Sequence, residues 1–347
     1  MVIETNITKM FGIKHPILNA PMGPYFTNDI AIGISEAGGL GVASHTAGME
    51  GRSAVGDTKY ALDYISEHTD KPFGFNIRTS RMEAAIDTMI RRIPDYIMKN
   101  PKLREQVLYV VTSAGSSKRL YSKNFIKLKE TTNIKHFHVA PALWLADKCV
   151  ATGVDGLCLT GTEGGGHQSY EKVSTLVLLQ QVRQKYPDMP IVACGGFGTG
   201  EGLAAVVGMG GGGVVMGTRF IASNESEFDD NYKELIPPAK AGDTRLVTGM
   251  LGPIRLWKNR YCMSKSLVGS KEEKLAEEKK MANMSLEDMR KNMAPYAGYH
   301  DLDIQDLAVL LGQSAGLVNT LKSVKEIMDD VMSVAEKSLR NAYASIK

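Results

Sequence analysis

Short apolar, β-branched runs recur along the first part of the chain with helix-like segments between them, the pattern of a parallel α/β fold. Eight strands are predicted: Pro16–Ala20, Leu40–Ser44, Pro72–Ile77, Val107–Ser113, His136–Pro141, Val154–Thr160, Ile191–Gly195 and Gly213–Gly217. Most lack in/out alternation, as strands buried on both faces do. The clearest helices between them are Asp29–Ala37, Tyr60–His68, Met82–Arg92, Trp144–Thr152, Ser174–Lys185 and Gly200–Gly208. Eight alternating units in about 220 residues match the length of a (β/α)8 TIM barrel. Periodicity alone fits an open doubly wound sheet as well.

After Phe220 the rhythm stops. The expected division is a barrel over 1–222 and a helical C-terminal elaboration over 223–347, packed on the barrel as a lid. Lys271–Met289 is rich in helix formers, and Val324–Leu339 places Val324, Ile327, Met328, Val331 and Ala335 at helical spacing. Met263, Met281, Met284, Met289 and Met293 either fill core gaps or offer a deformable surface to a long acyl group.

Composition narrows the class. Lys plus Arg is 41 and Asp plus Glu is 38, a net charge of +3, without the basic stripe that nucleic acid requires. No window approaches 18 consecutive apolar residues, so no membrane-spanning helix is expected. The first residues scatter charge among apolar positions, unlike a signal peptide. Cys149, Cys158, Cys194 and Cys262 show no C-x-x-C spacing, which argues against zinc and against a disulfide framework. A soluble protein of a reducing cytoplasm is the expectation. Glycine alone is skewed, 35 in 347 residues against a usual ~7%.

Those glycines, with the polar residues, follow the strands. Ala20, Pro21, Met22 and Gly23 close the first, His45 follows the second, Asn76 ends the third and Ser113-Ala114-Gly115 end the fourth. His138 lies in the fifth, Gly161–His167 follow the sixth, Gly195-Gly196 end the seventh and Gly217-Thr218-Arg219 end the eighth. Loops contain such residues anyway, but eight clusters in register point to one shared site at the C-terminal rim of a barrel. The loops after the last two strands suit a phosphate: Gly195-Gly196 lets backbone N–H groups approach without a Cβ, Gly217-Thr218 adds N–H groups and a hydroxyl, and Gly198-Thr199-Gly200 opens a helix. Gly208–Gly213 satisfies G-x-G-x-x-G but follows a helix and precedes a strand, the reverse of a dinucleotide fingerprint. In the sixth loop, His167 follows three glycines and is the side chain there able to exchange protons near neutrality. His45 and His138 are weaker substrate candidates, since a strand histidine is often a satisfied core residue. No metal site is expected, because no His or carboxylate repeats at ligand spacing.

Together these residues resemble the FMN-dependent family of nitronate monooxygenases (2-nitropropane dioxygenases) and flavin enoyl-thioester reductases. The matching stretches are Pro16–Met22, Glu36–Gly41, Pro72–Ile77, Glu163–His167, Ala193–Leu203 and Met216–Phe220. The resemblance implies FMN contacts from Ala20, Pro21, Met22, Asn76, Ser113, Gly166, Gly195, Gly196, Met216, Gly217 and Thr218, with His167 as the catalytic histidine. Typical bacterial monooxygenases resemble a pattern with lysine after the strand-five histidine, whereas His138-Val139-Ala140-Pro141 is closer to the reductases. Gly312–Val318 resembles the reductases' G-Q-x-A-G-L/I segment, which some monooxygenases share. Gly164, Cys194 and the long segment Arg81–Gln106 depart from the family pattern and bear on the substrate. The implied function is NAD(P)H-dependent reduction of the C=C bond of an enoyl-CoA or enoyl-ACP. The alternatives are nitronate oxidation with O2 and, from another class, flavin binding without turnover. The expected partners are the small-molecule or thioester substrate and a second copy of the chain as a homodimer, with neither nucleic acid nor membrane.

Overall fold

The computed structural model describes residues 2–46, 52–80, 83–249, 252–267, 269–270, 272–273, 276, 284–297 and 303–346. The eight expected strands form, each within two residues of its predicted ends: β1 (Ile17–Asn19), β2 (Gly41–Ala43), β3 (Phe73–Arg78), β4 (Val107–Ser113), β5 (Lys135–Ala140), β6 (Gly156–Thr160), then, after a two-residue β7 (Gly166–His167), β8 (Ile191–Cys194) and β9 (Gly213–Met216). They pair in parallel in the order β1-β9-β8-β6-β5-β4-β3-β2. A parallel bridge from Leu18 to Leu40 then joins the two edges, so the sheet closes into a (β/α)8 barrel.

Inward-facing Leu18, Val42, Tyr109, Val111, Phe137, Cys158, Val192 and Val215 fill the barrel. The helix Asn6–Phe11 plugs its N-terminal end with Ile7 and Phe11, whose ring meets Tyr109 edge-on at 5.5 Å. Outward-facing residues pack under Asn28–Glu36, Ala54–His68, Ile86–Lys99, Lys123–Thr131, Leu143–Ala151, Thr175–Lys185 and Gly200–Gly208. Three of these helices differ from expectation. The second starts at Ala54, capped by the Ser53 hydroxyl. The third runs through Pro94 to Lys99, beyond the expected end at Arg92, and its predicted start at Met82 lies outside the described residues. Lys123–Thr131, with Phe125 and Leu128 buried, is too short and polar to announce itself.

The C-terminal helix Val324–Ala344 starts in a Ser323/Glu326 capping box and buries Val324, Ile327, Met328, Val331 and Ala335. It packs against Gly200–Gly208 and Asn28–Glu36 and so fills the place of the barrel's eighth helix. Between Phe220 and this helix the structure departs from the expected run of helices. A hairpin, β10 (Thr244–Gly249) and β11 (Gly252–Trp257), pairs antiparallel there. Its alternating Thr-Arg-Leu-Val-Thr and Ile-Arg-Leu-Trp runs between glycines are a strand signal that the charged surroundings hide. Most of Lys271–Met289, Met281, and the side chains of Met289 and Met293 lie outside the described residues. Among the described residues no helix is long and apolar enough to cross a membrane.

On the outer face of β4 and β5, the Thr112 hydroxyl lies 2.7 Å from His136 Nε2 and 2.6 Å from His138 Nδ1. Both histidines are fully buried. Burial pushes the His138 pKa down to about 4, and burial with the neighbouring His138 holds His136 well below the ordinary value of 6.5. Each is neutral when folded and takes up a proton on unfolding below pH 6.5, so their contribution is full above 6.5 and is lost as pH falls toward 4. Lowering the pH from 7 to 5 is expected to reduce the unfolding free energy by about 2 kcal/mol through His138, with His136 adding to it. Urea denaturation at the two pH values checks this; equal midpoints would refute it.

Candidate active site at the barrel mouth

Because side chains alternate along a strand, the last inward positions of the strands form the floor of the mouth. Ala20 and Cys194 pack onto the interior core, and Asn76 and Ser113 follow its inward register on β3 and β4. Asn76 Nδ2 donates to Val111 O at 2.8 Å and to Ser113 Oγ at 3.3 Å. The Met22 N–H donates to Ser44 Oγ at 2.7 Å, and the Ala20 N–H to Met216 O at 2.9 Å. A Cβ on Gly217 would lie 3.4 Å from both Ala20 Cβ and Met22 Sδ. Ala20, Pro21, Met22, Asn76, Ser113 and Gly217 are thus gathered at one end of the barrel. Met216 reaches that end only through its backbone, since its side chain is buried in the layer between sheet and helices. The decoy Gly208–Gly213 lies at the opposite end, between a helix and the start of β9. A surface hollow of about 360 Å³ beside Val154, Asp155 and Pro190 is also at the strands' N-terminal ends, away from these residues.

One side of the mouth is a glycine cradle. Gly195 and Gly196 have φ of +91° and +85°, a left-handed backbone that glycine adopts without strain and that lets other groups approach without a Cβ in the way. A Cβ on Gly195 would stand 2.9 Å from the Gly164 nitrogen, so the loops after β6 and β8 come this close because Gly195 lacks a side chain. Thr218 begins the short turn Thr218–Ile221, and its hydroxyl accepts from the Gly312 N–H at 3.1 Å. The segment Gln313–Leu317 lies over this cradle, with the Gln313 N–H donating to Glu163 O at 2.8 Å. A glycine-lined turn beside the Thr218 hydroxyl, where backbone can approach a ligand without a Cβ between, fits a phosphate monoester such as that of FMN.

The loop carrying His167 is held on both sides. Its inner side rests on Thr175, whose N–H and hydroxyl donate to the Glu163 carboxylate at 3.0 and 3.2 Å. Its outer side is β7, which pairs with β11 in the register His167 to Ile254 and Gly166 to Arg255. Arg255 Nε donates to Thr162 O at 2.7 Å and Nη1 to Thr244 Oγ1 at 3.1 Å. The hairpin therefore splints the glycine-rich loop. His167 is surface-accessible, although its loop is crowded by the surrounding protein. Desolvation by that protein, with the positive charge of Arg78, pushes its pKa down to about 4, so the imidazole is neutral at pH 7.

The two other candidate histidines are fully buried, His138 in the layer outside the sheet and His45 beside Arg78. His138 is on the outer face of β5 with Thr112, opposite Phe137 and Val139. His45 follows Ser44 after the end of β2 and is buried, its Nδ1 accepting the Arg78 N–H at 3.2 Å and its Nε2 lying 3.4 Å from Glu83 Oε2. Sequence reasoning did not single out Ser44, Arg78 or Arg255. The period of two along β3 (Gly74, Asn76, Arg78) would have found Arg78, but Arg255 needed the hairpin.

The model of the nitronate monooxygenase family matches residues 4–333. The chain is 33% identical over 243 residues to a (3aS,4S,5R,7aS)-5-hydroxy-7a-methyl-1-oxo-octahydro-1H-indene-4-carboxyl-CoA dehydrogenase of Rhodococcus jostii, covering 67% of this chain and 59% of that protein. It is 28% identical to the protein of the same description from Mycobacterium tuberculosis, over 100% of both chains. It is 26% identical to the nitronate monooxygenase of Pseudomonas aeruginosa, over 71% of this chain and 77% of that one. Among solved structures, FabK from Thermotoga maritima is 28% identical with a TM-score of 0.79, covering 99% of this chain and 100% of that one. The chain belongs to the nitronate monooxygenase family and is an oxidoreductase of the nitronate monooxygenase and enoyl reductase type.

Proposed function

We propose that the protein is an FMN-dependent reductase that takes electrons from NADH or NADPH and saturates the C=C bond of an α,β-unsaturated thioester, an enoyl-CoA or enoyl-ACP. The observation that carries this reading is a neutral His167 at a barrel mouth that also holds a phosphate-type glycine cradle. The full-length likeness to a CoA-thioester dehydrogenase supports the substrate class. Gly195, Gly196, Gly217 and Thr218 would hold the FMN phosphate, and Ala20, Pro21, Met22, Asn76, Ser113 and Gly166 would border its ring. Bound FMN supplies hydride transfer between the nicotinamide and the substrate.

The chain's own residues do the rest. As hydride adds to the β-carbon, negative charge collects on the thioester carbonyl oxygen, and a proton must then reach the α-carbon. A neutral imidazole N–H at His167 donates a hydrogen bond to that oxygen. The splint from Arg255 keeps the ring in place as substrate enters. The family model and the Pseudomonas relative favour a second reading, oxidation of a nitronate with O2. Anaerobic mixing of the FMN-loaded protein with NADH and then NADPH separates the two. Rapid bleaching of the flavin by either, with reoxidation by an enoyl thioester, is the expected result. A flavin untouched by both yet bleached by propionate 3-nitronate would establish the monooxygenase. A flavin inert to all donors would mean binding without turnover.

A further inference from the structure

We propose that Arg78 is an oxyanion ligand of the mouth, which binds, together with His167, the oxygen on which substrate charge collects. Only the identity of that oxygen rests on the reductase reading; the anion site stands on the chain's own geometry. On β3, Phe73, Phe75 and Ile77 pack outward against the helices, so Gly74, Asn76 and Arg78 face inward. Asn76 is tied to the floor, and Arg78 is the next inward position, at the open end. Its charge is close enough to His167 to disfavour protonation of that ring.

The guanidinium is fixed from behind. Arg78 Nη2 lies 3.1 Å from Glu83 Oε2, and the same oxygen lies 3.4 Å from His45 Nε2. Glu83 thus takes one branch of the fork, while Arg78 Nε is buried and has no hydrogen-bond partner among the described residues. A buried charged donor left unpaired is costly, and a guanidinium suits planar oxygen acceptors. Arg219 and Arg255, also near the loops, are turned away. Arg219 donates to the Ala222 and Thr320 carbonyls at 2.7 and 2.8 Å, and Arg255 to Thr162. The ligand class is therefore a planar oxyanion or an incipient one, with a thioester enolate and a nitronate as its two sources.

The test titrates acetate and nitrate, both planar oxyanions, into the FMN-loaded full chain. The His167 ring resonances and the flavin absorbance are followed together, and the ring signal remains informative without flavin. Saturable shifts are expected in the wild type, with at least a tenfold weaker Kd in R78M and an intermediate value in R78K. In turnover, R78M is expected to lose at least tenfold in kcat, with partial recovery in R78K. Where R78M does not fold, R78K and R78Q carry the same comparison. No saturable shift in the wild type, or R78M and R78K indistinguishable from it, would overturn the proposal. If enoyl thioesters are not reduced but anion binding still depends on Arg78, the reductase reading fails and the anion site stands. Loss of nitronate turnover in R78M would then identify the nitronate as its source.

Discussion

Replacing His167 by alanine is expected to lower turnover with an enoyl thioester about 10²–10⁴-fold, the usual contribution of a positioned proton-handling group. The loss should fall on reoxidation of the flavin by the thioester, with flavin reduction by NAD(P)H left near wild type. The physical ground is the ring's placement. His167 is held through backbone pairing with Ile254, while the residue itself is exposed and belongs to no buried core cluster. Truncation should therefore leave the melting temperature close to that of the wild type. Glutamine, which retains an N–H donor, should recover part of the rate. Stopped-flow measurement of the two half-reactions decides the matter, and a loss below threefold in the thioester step would remove His167 from the mechanism.

Gly195→Ala is expected to weaken FMN binding at least tenfold, or to yield protein purified without flavin. Two effects add at this position. An L side chain at φ +91° is strained by roughly 1–2 kcal/mol. Its Cβ would also meet the Gly164 nitrogen at 2.9 Å, a backbone atom that yields only if the His167 loop shifts. Gly210→Ala is the control. It has φ +78° at the far end of the barrel, and its added Cβ would meet only the mobile end of Arg183, at 3.2 Å. Gly210→Ala should carry the same left-handed strain without the backbone clash and leave FMN affinity unchanged. Equal flavin retention in the two variants, measured by fluorescence titration of the apo-protein, would count against the phosphate cradle.

Much of the barrel is legible along the chain because a parallel strand covered on both faces is a continuous apolar run, and helices at regular intervals separate the runs. The same rule made the C-terminal strand ends readable: Gly195-Gly196 and Gly217-Thr218 announce a close backbone approach wherever they fall. The helix Val324–Ala344 was visible from its spacing, although its place in the barrel wall was not, since more than a hundred residues separate it from β9. His138 was a weak substrate candidate because a strand histidine is often a satisfied core residue; the phase of β5 turns it outward to Thr112.

By itself, the sequence determined the eight strands, the glycine-bearing ends and the histidine among them. Those follow from local composition and from a period of two or 3.6, which a single segment carries within itself. Closure of the sheet through Leu18 and Leu40, the hairpin that splints His167, the ion pair that holds Arg78 and the burial that keeps His167 neutral were decided only in the tertiary structure. Each depends on groups far apart in the chain coming within a few ångströms of each other, and no local pattern records which distant partner a segment will meet.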